Sequence, residues 1–406
     1  MSGGASAAGA VPPAGWVPRV GIDVSAVPRN PAGAGRYVIE LVRALGARRD
    51  LSLELFARRD DGDRWHAVLG SASGDERIDA GHGVRAVAPR GRAARVLYGE
   101  VALGRVAHRS RPAIDLFHGT HYTFPMFTGD PVTVTVHDLT LVEHPEWHER
   151  AKVAYFSRAI ARAATRAAAI VVPAAREAER FVARYAPVGE VVVIPHGIDH
   201  DRFAPLEPTS GHDQSTLERL GVRGRYVATL GTVEPRKNHP TLVEAFAALA
   251  TRDPEVSLVI AGQDGWGSDA LDRAIATSPH RERIVRLGYV SDDEAATVLR
   301  SAACVAYASS AEGFGLPALE VLACGAPLVT TADTVMADVA DGAALLVPPG
   351  DPSALADALI ATVVDGTDVD ARRQAGIAVA RRYTWEACAA AHAALWSRTG
   401  RTAATS

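Results

Sequence analysis

Two carboxylates, Glu312 and Glu320, stand eight positions apart in the string SSAEGFGLPALEVLACG at 309–325. Between them lies the turn Gly313-Phe314-Gly315, then Leu316 and Pro317. The apolar run before it, at 303–309, reads as a buried strand. The run after Pro317 has apolar residues at helical spacing and stops at Gly325. Proline costs nothing near a helix start, because its missing N–H would have no partner there. The open backbone N–H groups of such a start favour an anion. Glu320, about one turn into the helix, would repel a bare phosphate but can accept hydrogen bonds from sugar hydroxyls. Phosphate donors and hydroxyl acceptors therefore meet in one turn, as a nucleotide-sugar requires.

A second loop, GTVEPRKN at 231–238, also follows a strand and precedes a helix. Arg236 and Lys237 are expected at that helix start, where side-chain charge and dipole add for an anion. Gly231 opens the loop. Two strands further up the chain, at 113–117 and 132–136, end in histidines: His118 with His121 and Tyr122, and His137 with Asp138. In open α/β sheets the carboxyl ends of the strands carry the site. His137 closes the very apolar run VTVTV and fits a structural role as well as a functional one. No P-loop, no zinc-type ligand cluster and no GxSxG elbow occurs in the sequence.

The elements that must hold these residues form two series. A strand at 19–24, a Pro- and Gly-rich loop and a helix at 36–46 open a doubly wound α/β domain. The string GAGRYV at 33–38 has two glycines of a dinucleotide fingerprint and valine in place of the third, which argues against NAD. Strands at 51–57, 84–88, 113–117, 132–136, 170–172 and 191–194 continue the first domain, with helices at 151–168 and 176–185. A polar, Pro-containing linker is expected at 204–216. Strands at 226–230, 257–261, 284–287, 304–308 and 328–330 alternate with helices in the second domain, and 369–396 reads as helical throughout. The expected domains are an extension without fixed structure at 1–18, an acceptor-binding domain at 19–203, a donor-binding domain at 217–383 and a helix at 384–400 packing back on the first domain.

At 406 residues the chain needs more than one domain. A net charge of -4 gives no reason to expect nucleic acid as a partner. Cys304, Cys324 and Cys388 lack metal-type spacing and read as buried small hydrophobes in a reducing cytosol. The first 18 residues lack a basic start and a strong apolar core, so they do not read as a signal peptide. The segment 85–111 carries seven arginines against one glutamate at partly helical spacing. It is either a solvated helix face or a surface that meets anionic lipid or a phosphate-bearing acceptor.

The combination resembles the retaining glycosyltransferases of the large group 1 family, also called family 4, of two-domain GT-B architecture. EGFGLPALE resembles the family's paired-glutamate motif, and GTVEPRKN its basic phosphate-binding loop. PHGID at 195–199 resembles the hinge-side motif, and GAGRY with VHDLT at 136–140 the N-terminal sites. The resemblance implies two Rossmann-like domains facing each other across a cleft. It implies that Glu320 binds the ribose and that Glu312 holds hydroxyls of the transferred sugar. Backbone N–H groups of the Gly313, Phe314, Gly315 and Leu316 turn would contact sugar and diphosphate. Arg236 and Lys237 would neutralise the diphosphate, with Gly231 in the same loop and Gly35 approaching from the other domain. His137 would contact the donor sugar, and Tyr289-Val290 would border the base. Glu312, His137, Lys237 and Arg236 are the residues expected to carry catalysis, and His118, His121 and Tyr122 those expected at the acceptor. Thr232 stands where many relatives have arginine.

The implied reaction retains anomeric configuration and uses neither metal nor cofactor, cations and helix starts taking the metal's place. EPRKN, VHDLT and HPEWH resemble bacterial mannosyl- and rhamnosyltransferases most, so GDP-mannose is the first expected donor and a dTDP- or UDP-sugar the second. A glycan, a polyprenyl-linked glycan or a small molecule would be the acceptor. The expected place is the cytoplasm or the inner face of the plasma membrane. A GT-B sugar-nucleotide epimerase and a non-catalytic nucleotide-sugar-binding relative share the same motifs.

Overall fold

The computed structural model describes residues 17–29, 31, 33–58, 60–70, 82–88, 114–124, 129–205, 212–364, 366 and 368–404. The expected extension lies outside these residues apart from its last two positions, as does nearly all of the basic segment, including Arg92 and Arg95. Arg85, at its start, is bound to the Glu54 carboxylate.

The chain forms two compact units. The first holds the described residues up to Leu139, then Ala154–Pro195, and the stretch from Trp385 onward. The second holds Thr140–Val153 and His196–Thr384. Residues 140–153 and 196–203, expected in the first domain, thus cluster with the second. The latter are tied there by the Ile198 N–H to the Tyr383 carbonyl at 3.2 Å, by His200 Nε2 to the same carbonyl at 3.1 Å, and by Arg202 Nε to Asp293 at 3.0 Å. The end of the expected linker is a helix, His212–Arg219, whose buried Asp213 binds Arg300 Nε at 2.7 Å and Thr297 at 3.1 Å.

The first unit is built on a parallel sheet of β1 (Arg19–Asp23), β2 (Ser52–Arg58), β3 (Gly83–Ala88), β4 (Leu116–Gly119), β5 (Val132–Thr135), β6 (Ala169–Val172) and β7 (Glu190–Val193). Their order is β3-β2-β1-β4-β5-β6-β7. The chain runs outward from β1 through β2 and β3, then returns to the other side at β4. That reversal puts the loops after β1 and β4 side by side at the carboxyl edge, where a doubly wound sheet opens a crevice. β1 and β2 alternate almost wholly buried residues because helices cover both faces. The last helix, Trp385–Ala404, belongs to this unit and buries Trp385, Leu395 and Trp396 against Val20, Ile22, Leu53 and Leu55.

The second unit repeats the plan with β8 (Tyr226–Leu230), β9 (Ser257–Ala261), β10 (Ile284–Gly288), β11 (Cys304–Tyr307), β12 (Leu328–Thr331) and β13 (Leu345–Val347). Their order is β10-β9-β8-β11-β12-β13, all parallel. Here the reversal falls between β8 and β11. The stretch at 369–396, expected to be helical throughout with a separate helix from 384, holds two helices, Val369–Ala380 and Trp385–Ala404. They are broken because Thr384 pairs in parallel with Ile198, which holds the intervening backbone out of helical form. All three cysteines are buried and none forms a disulfide.

Candidate active site

In the second unit the two loops at the strand reversal supply the charge. Residues 231–238 leave β8 and residues 308–315 leave β11, its neighbour. The Ser310 N–H donates to the Arg236 carbonyl at 2.8 Å, which ties one loop to the other. The Glu312 carboxylate lies between both cations: one oxygen is 2.6 Å from Lys237 Nζ and the other is bound by Arg236 Nη1. Arg236 is further fixed by Glu234 at 2.6 Å and by the Ala311 carbonyl at 3.2 Å. Lys237 and Glu312 are both only 7% exposed. Burial alone would raise the Glu312 pKa, but Arg236 and then Lys237 outweigh it and hold the carboxyl at about 2. The acid is thus an ion throughout the ordinary pH range.

Arg236 and Lys237 do not start the following helix, as the sequence had suggested. They end a 3-10 turn, Pro235–Lys237, and Asn238 with φ 49° separates them from the helix His239–Arg252. The turn carries Lys237 back under its own loop. Its Nζ passes 3.4 Å from where a β-carbon on Gly231 would stand, so glycine gives it room. Lys237 Nζ also lies 5.9 Å from the centre of the Tyr307 ring. Burial, then Glu320, then Glu312 push the Tyr307 phenol well above its ordinary pKa. Thr232 lies beside Gly265 on the neighbouring loop.

The turn between the two glutamates forms as expected. Gly315 takes φ +88° and caps the helix Leu316–Ala323, with Pro317 in its first turn. A side chain at 315 would be strained by that φ and crowded by Met336 at 3.1 Å. Glu320 is buried in this helix. Gly313 is half-buried. The Phe314 ring packs against His196 at 4.9 Å and Tyr383 at 5.9 Å, so only its backbone is left to face a ligand. Tyr289, after β10, is 58% exposed, whereas Val290 is buried with Ala261 and Ala295.

In the first unit Gly35 lies inside the helix Ala34–Gly46, in its first turn, rather than in the preceding loop. The helix start there favours an anion in the same way. His137 lies just past β5, and its Nε2 donates to the Thr120 carbonyl at 2.9 Å. Burial lowers its pKa to about 4, so the ring is neutral. It is enclosed by the rings of Tyr37 at 5.1 Å, His121 at 5.4 Å and Tyr122 at 5.7 Å. His121 is held to about 3 by burial and by His137. Tyr122 adopts φ 62° and is buried.

His118 requires a correction. It was expected at the acceptor, but it is wholly buried, with Nδ1 2.9 Å from Thr133 Oγ1 and Nε2 3.3 Å from Thr135 Oγ1. The side chain points into the core beneath Trp396 and His392, where no acceptor can reach it. Glu177 lies outside every motif of the sequence. It is buried at the start of the helix Ala175–Tyr185, binds Arg180 at 2.7 Å and takes the Leu139 N–H. Burial, then Asp138, raise its carboxyl to about 8. Its acid spacing near VHDLT carried no periodic signal, since the approach is tertiary.

With this geometry in hand, the comparisons are specific. Residues 31–202 match the family described as Glycosyltransferase Family 4, and residues 218–379 match Glycosyl transferases group 1. The D-inositol 3-phosphate glycosyltransferase of Xylanimonas cellulosilytica is 32% identical over 393 residues, covering 88% of this chain and 90% of that protein. The O-antigen chain mannosyltransferase B of Escherichia coli is 27% identical over 366 residues, covering 88% and 93%. Anabaena HepE, solved in complex with UDP-glucose, superimposes with a TM-score of 0.70 at 18% identity over 94% of this chain and 99% of that one. Sucrose-phosphate synthase from Thermosynechococcus elongatus gives 0.70 at 19% identity, covering 94% and 98%. The buried acid gripped by two cations at a strand reversal is thus set in a chain that belongs to the group 1, family 4 glycosyltransferases of GT-B fold.

Proposed function

We propose that the chain is a retaining, metal-independent hexosyltransferase that moves mannose from GDP-mannose to a hydroxyl of a glycan, free or lipid-linked. The observation that carries this reading is the Lys237–Glu312–Arg236 cluster. Breaking the sugar–phosphate bond leaves an oxocarbenium-like sugar and a diphosphate of growing charge. Two preorganised cations beside a helix start can stabilise that charge without a metal. Glu312 keeps both cations in place before the donor arrives and then turns its carboxylate to hydroxyls of the moving sugar. Glu320 holds the ribose, His137 orients the sugar, and Tyr289 borders the base. His121 and Tyr122 remain as acceptor-side residues. Attack comes from the face that the diphosphate leaves, and the departing phosphate takes the acceptor's proton.

Mannose is favoured by the E. coli O-antigen chain mannosyltransferase, which matches over nearly its whole length. A second reading, a sugar phosphate such as inositol phosphate as acceptor with a UDP-sugar as donor, is favoured by the Xylanimonas relative and the UDP-glucose complex of HepE. Thermal melting with GDP-mannose, UDP-glucose and a dTDP-hexose at saturating concentration, each with and without EDTA, tests the donor. At a hundredfold excess over Kd a ligand stabilises by about 2.7 kcal/mol. GDP-mannose should raise the melting temperature, and UDP-glucose should not. A shift with UDP-glucose alone would select the second reading. No shift with any of the three, or a shift abolished by EDTA, would overturn the proposal.

A further inference from the structure

The first unit contains a single hydrogen-bond chain that begins and ends on the terminal helix, Trp385–Ala404. Trp396 Nε1 is 3.2 Å from Thr133 Oγ1, and Thr133 Oγ1 is 2.9 Å from His118 Nδ1. His118 Nε2 is 3.3 Å from Thr135 Oγ1, and Thr135 Oγ1 is 3.0 Å from the Tyr37 hydroxyl. That hydroxyl is 3.1 Å from His392 Nε2, and His392 Nδ1 is 2.9 Å from the Cys388 carbonyl. All of these side chains are buried.

The two ends fix the direction of every link. An indole N–H only donates and a backbone carbonyl only accepts. His392 must therefore carry its proton on Nδ1, which leaves Nε2 to accept from Tyr37. Tyr37 then accepts from Thr135, Thr135 from His118 Nε2, and His118 Nδ1 from Thr133, which accepts from Trp396. The opposite direction would require protons on both nitrogens of His392, a cation with no carboxylate among the partners just named. Burial also holds the His392 pKa at about 4. Each histidine thus has one tautomer, and the Tyr37 hydroxyl is gripped from two sides.

Tyr37 presents its ring edgewise to His137, with centres 5.1 Å apart and planes at 81°. We propose that Tyr37 is a positioning residue, and that through this chain the terminal helix sets the rotation of the His137 ring about its bond to Thr120. The functional consequence rests on the place given to His137 in the proposed donor site. His392 and Thr135 act through Tyr37 and touch no substrate.

The test uses the full chain labelled with nitrogen-15 in histidine. Long-range proton–nitrogen correlation should show His118 protonated on Nε2 and His392 on Nδ1, both neutral at pH 7. His392 protonated on Nε2 overturns the chain without any variant. His392→Leu and Tyr37→Phe should each shift the His137 ring signals and lower kcat about tenfold, with the donor KM nearly unchanged. His392→Gln, whose Oε1 can accept from Tyr37, should restore both. The Tyr37→Phe/His392→Leu double variant should be no worse than either single one, because the residues act as one unit. Folded His392→Leu protein with unchanged His137 signals, or additive losses in the double variant, overturns the positioning role. The nitrogen signals need no substrate, so they stand or fall separately from the choice of donor.

Discussion

Replacing Lys237 by methionine removes one charge from a buried site while keeping most of the side-chain volume. Lys237 Nζ lies 2.6 Å from Glu312, whose other oxygen is held by Arg236. Removing the sole partner of a buried ion costs about 3–5 kcal/mol. Here Arg236 remains, so the loss of stability should stay nearer the ~1–3 kcal/mol of a group left partly satisfied. The protein should therefore fold. The barrier is a different matter, because no second lysine replaces the lost donor when the diphosphate departs. One preorganised donor of this kind is worth about 3 kcal/mol in the transition state. That converts to about a hundredfold in rate. The assay is release of nucleoside diphosphate at saturating donor and acceptor, with donor affinity measured separately by melting. The expected result for Lys237→Met is turnover lowered about a hundredfold or more, with a cooperative melt retained. Turnover within threefold of the parent at saturating donor would refute the assignment of Lys237 to the leaving group.

Two further outcomes concern protons. His118, His137 and His392 are buried and His121 is half-buried, all four neutral, with His137 and His392 at about 4 and His121 at about 3, whereas unfolded histidine titrates near 6.5. As pH falls below about 6.5 the unfolded chain takes up protons that the folded one refuses. Stability should therefore fall as pH drops from 6.5 through 4, read as urea midpoints at pH 7, 5.5 and 4.5. A midpoint that holds steady across that range contradicts the buried neutral ring cluster. Glu177 has the opposite sign. Its folded pKa of about 8 lies above the unfolded value, so its contribution is full at low pH and is lost as pH rises toward 8. Glu177→Gln, which can still accept from Arg180, should raise the melting temperature at pH 8 and leave it nearly unchanged at pH 5. A gain of equal size at both pH values would rule out a carboxyl titrating near 8.

The paired sheets and both charged loops could be read from residues because they are local patterns. ACVAYAS is apolar enough for a strand covered on both faces, and EGFGLPALE carries its own turn and helix start. The doubly wound rule then brings the loops after β8 and β11 together without any side-chain knowledge. What escaped was decided by distant chain. His118 follows an apolar strand as His137 does, and nothing nearby separates a core histidine from a site histidine. His118 is made a core residue by Trp396 and His392, which arrive from the far end of the sequence. The cause of the break before the terminal helix, pairing between Ile198 and Thr384, is likewise tertiary. Arg236 and Lys237 looked like a helix start because Pro235 and Pro240 flank them, but the backbone spends one 3-10 turn first. The short helices Gly62–Gly70 and Val335–Ala340 and the edge strand β13 were missed, being too brief for periodicity to register.

The charge around the diphosphate loop is balanced. Arg236 and Lys237 contribute two positive charges, and Glu234 and Glu312 two negative ones, with Glu312 paired to both cations and Glu234 to Arg236. From beyond a Debye length such a group looks nearly neutral and exerts little pull on a passing anion. Inorganic phosphate or a nucleic acid backbone gains nothing from approaching it, because each cation already has a counter-ion. Only a ligand that offers hydroxyls to the displaced carboxylate together with phosphate oxygens to the freed cations can exchange partners without leaving a buried charge bare. On the proposed function, the loop would therefore filter by combination, admitting molecules that join sugar to diphosphate and turning away those that bring charge alone.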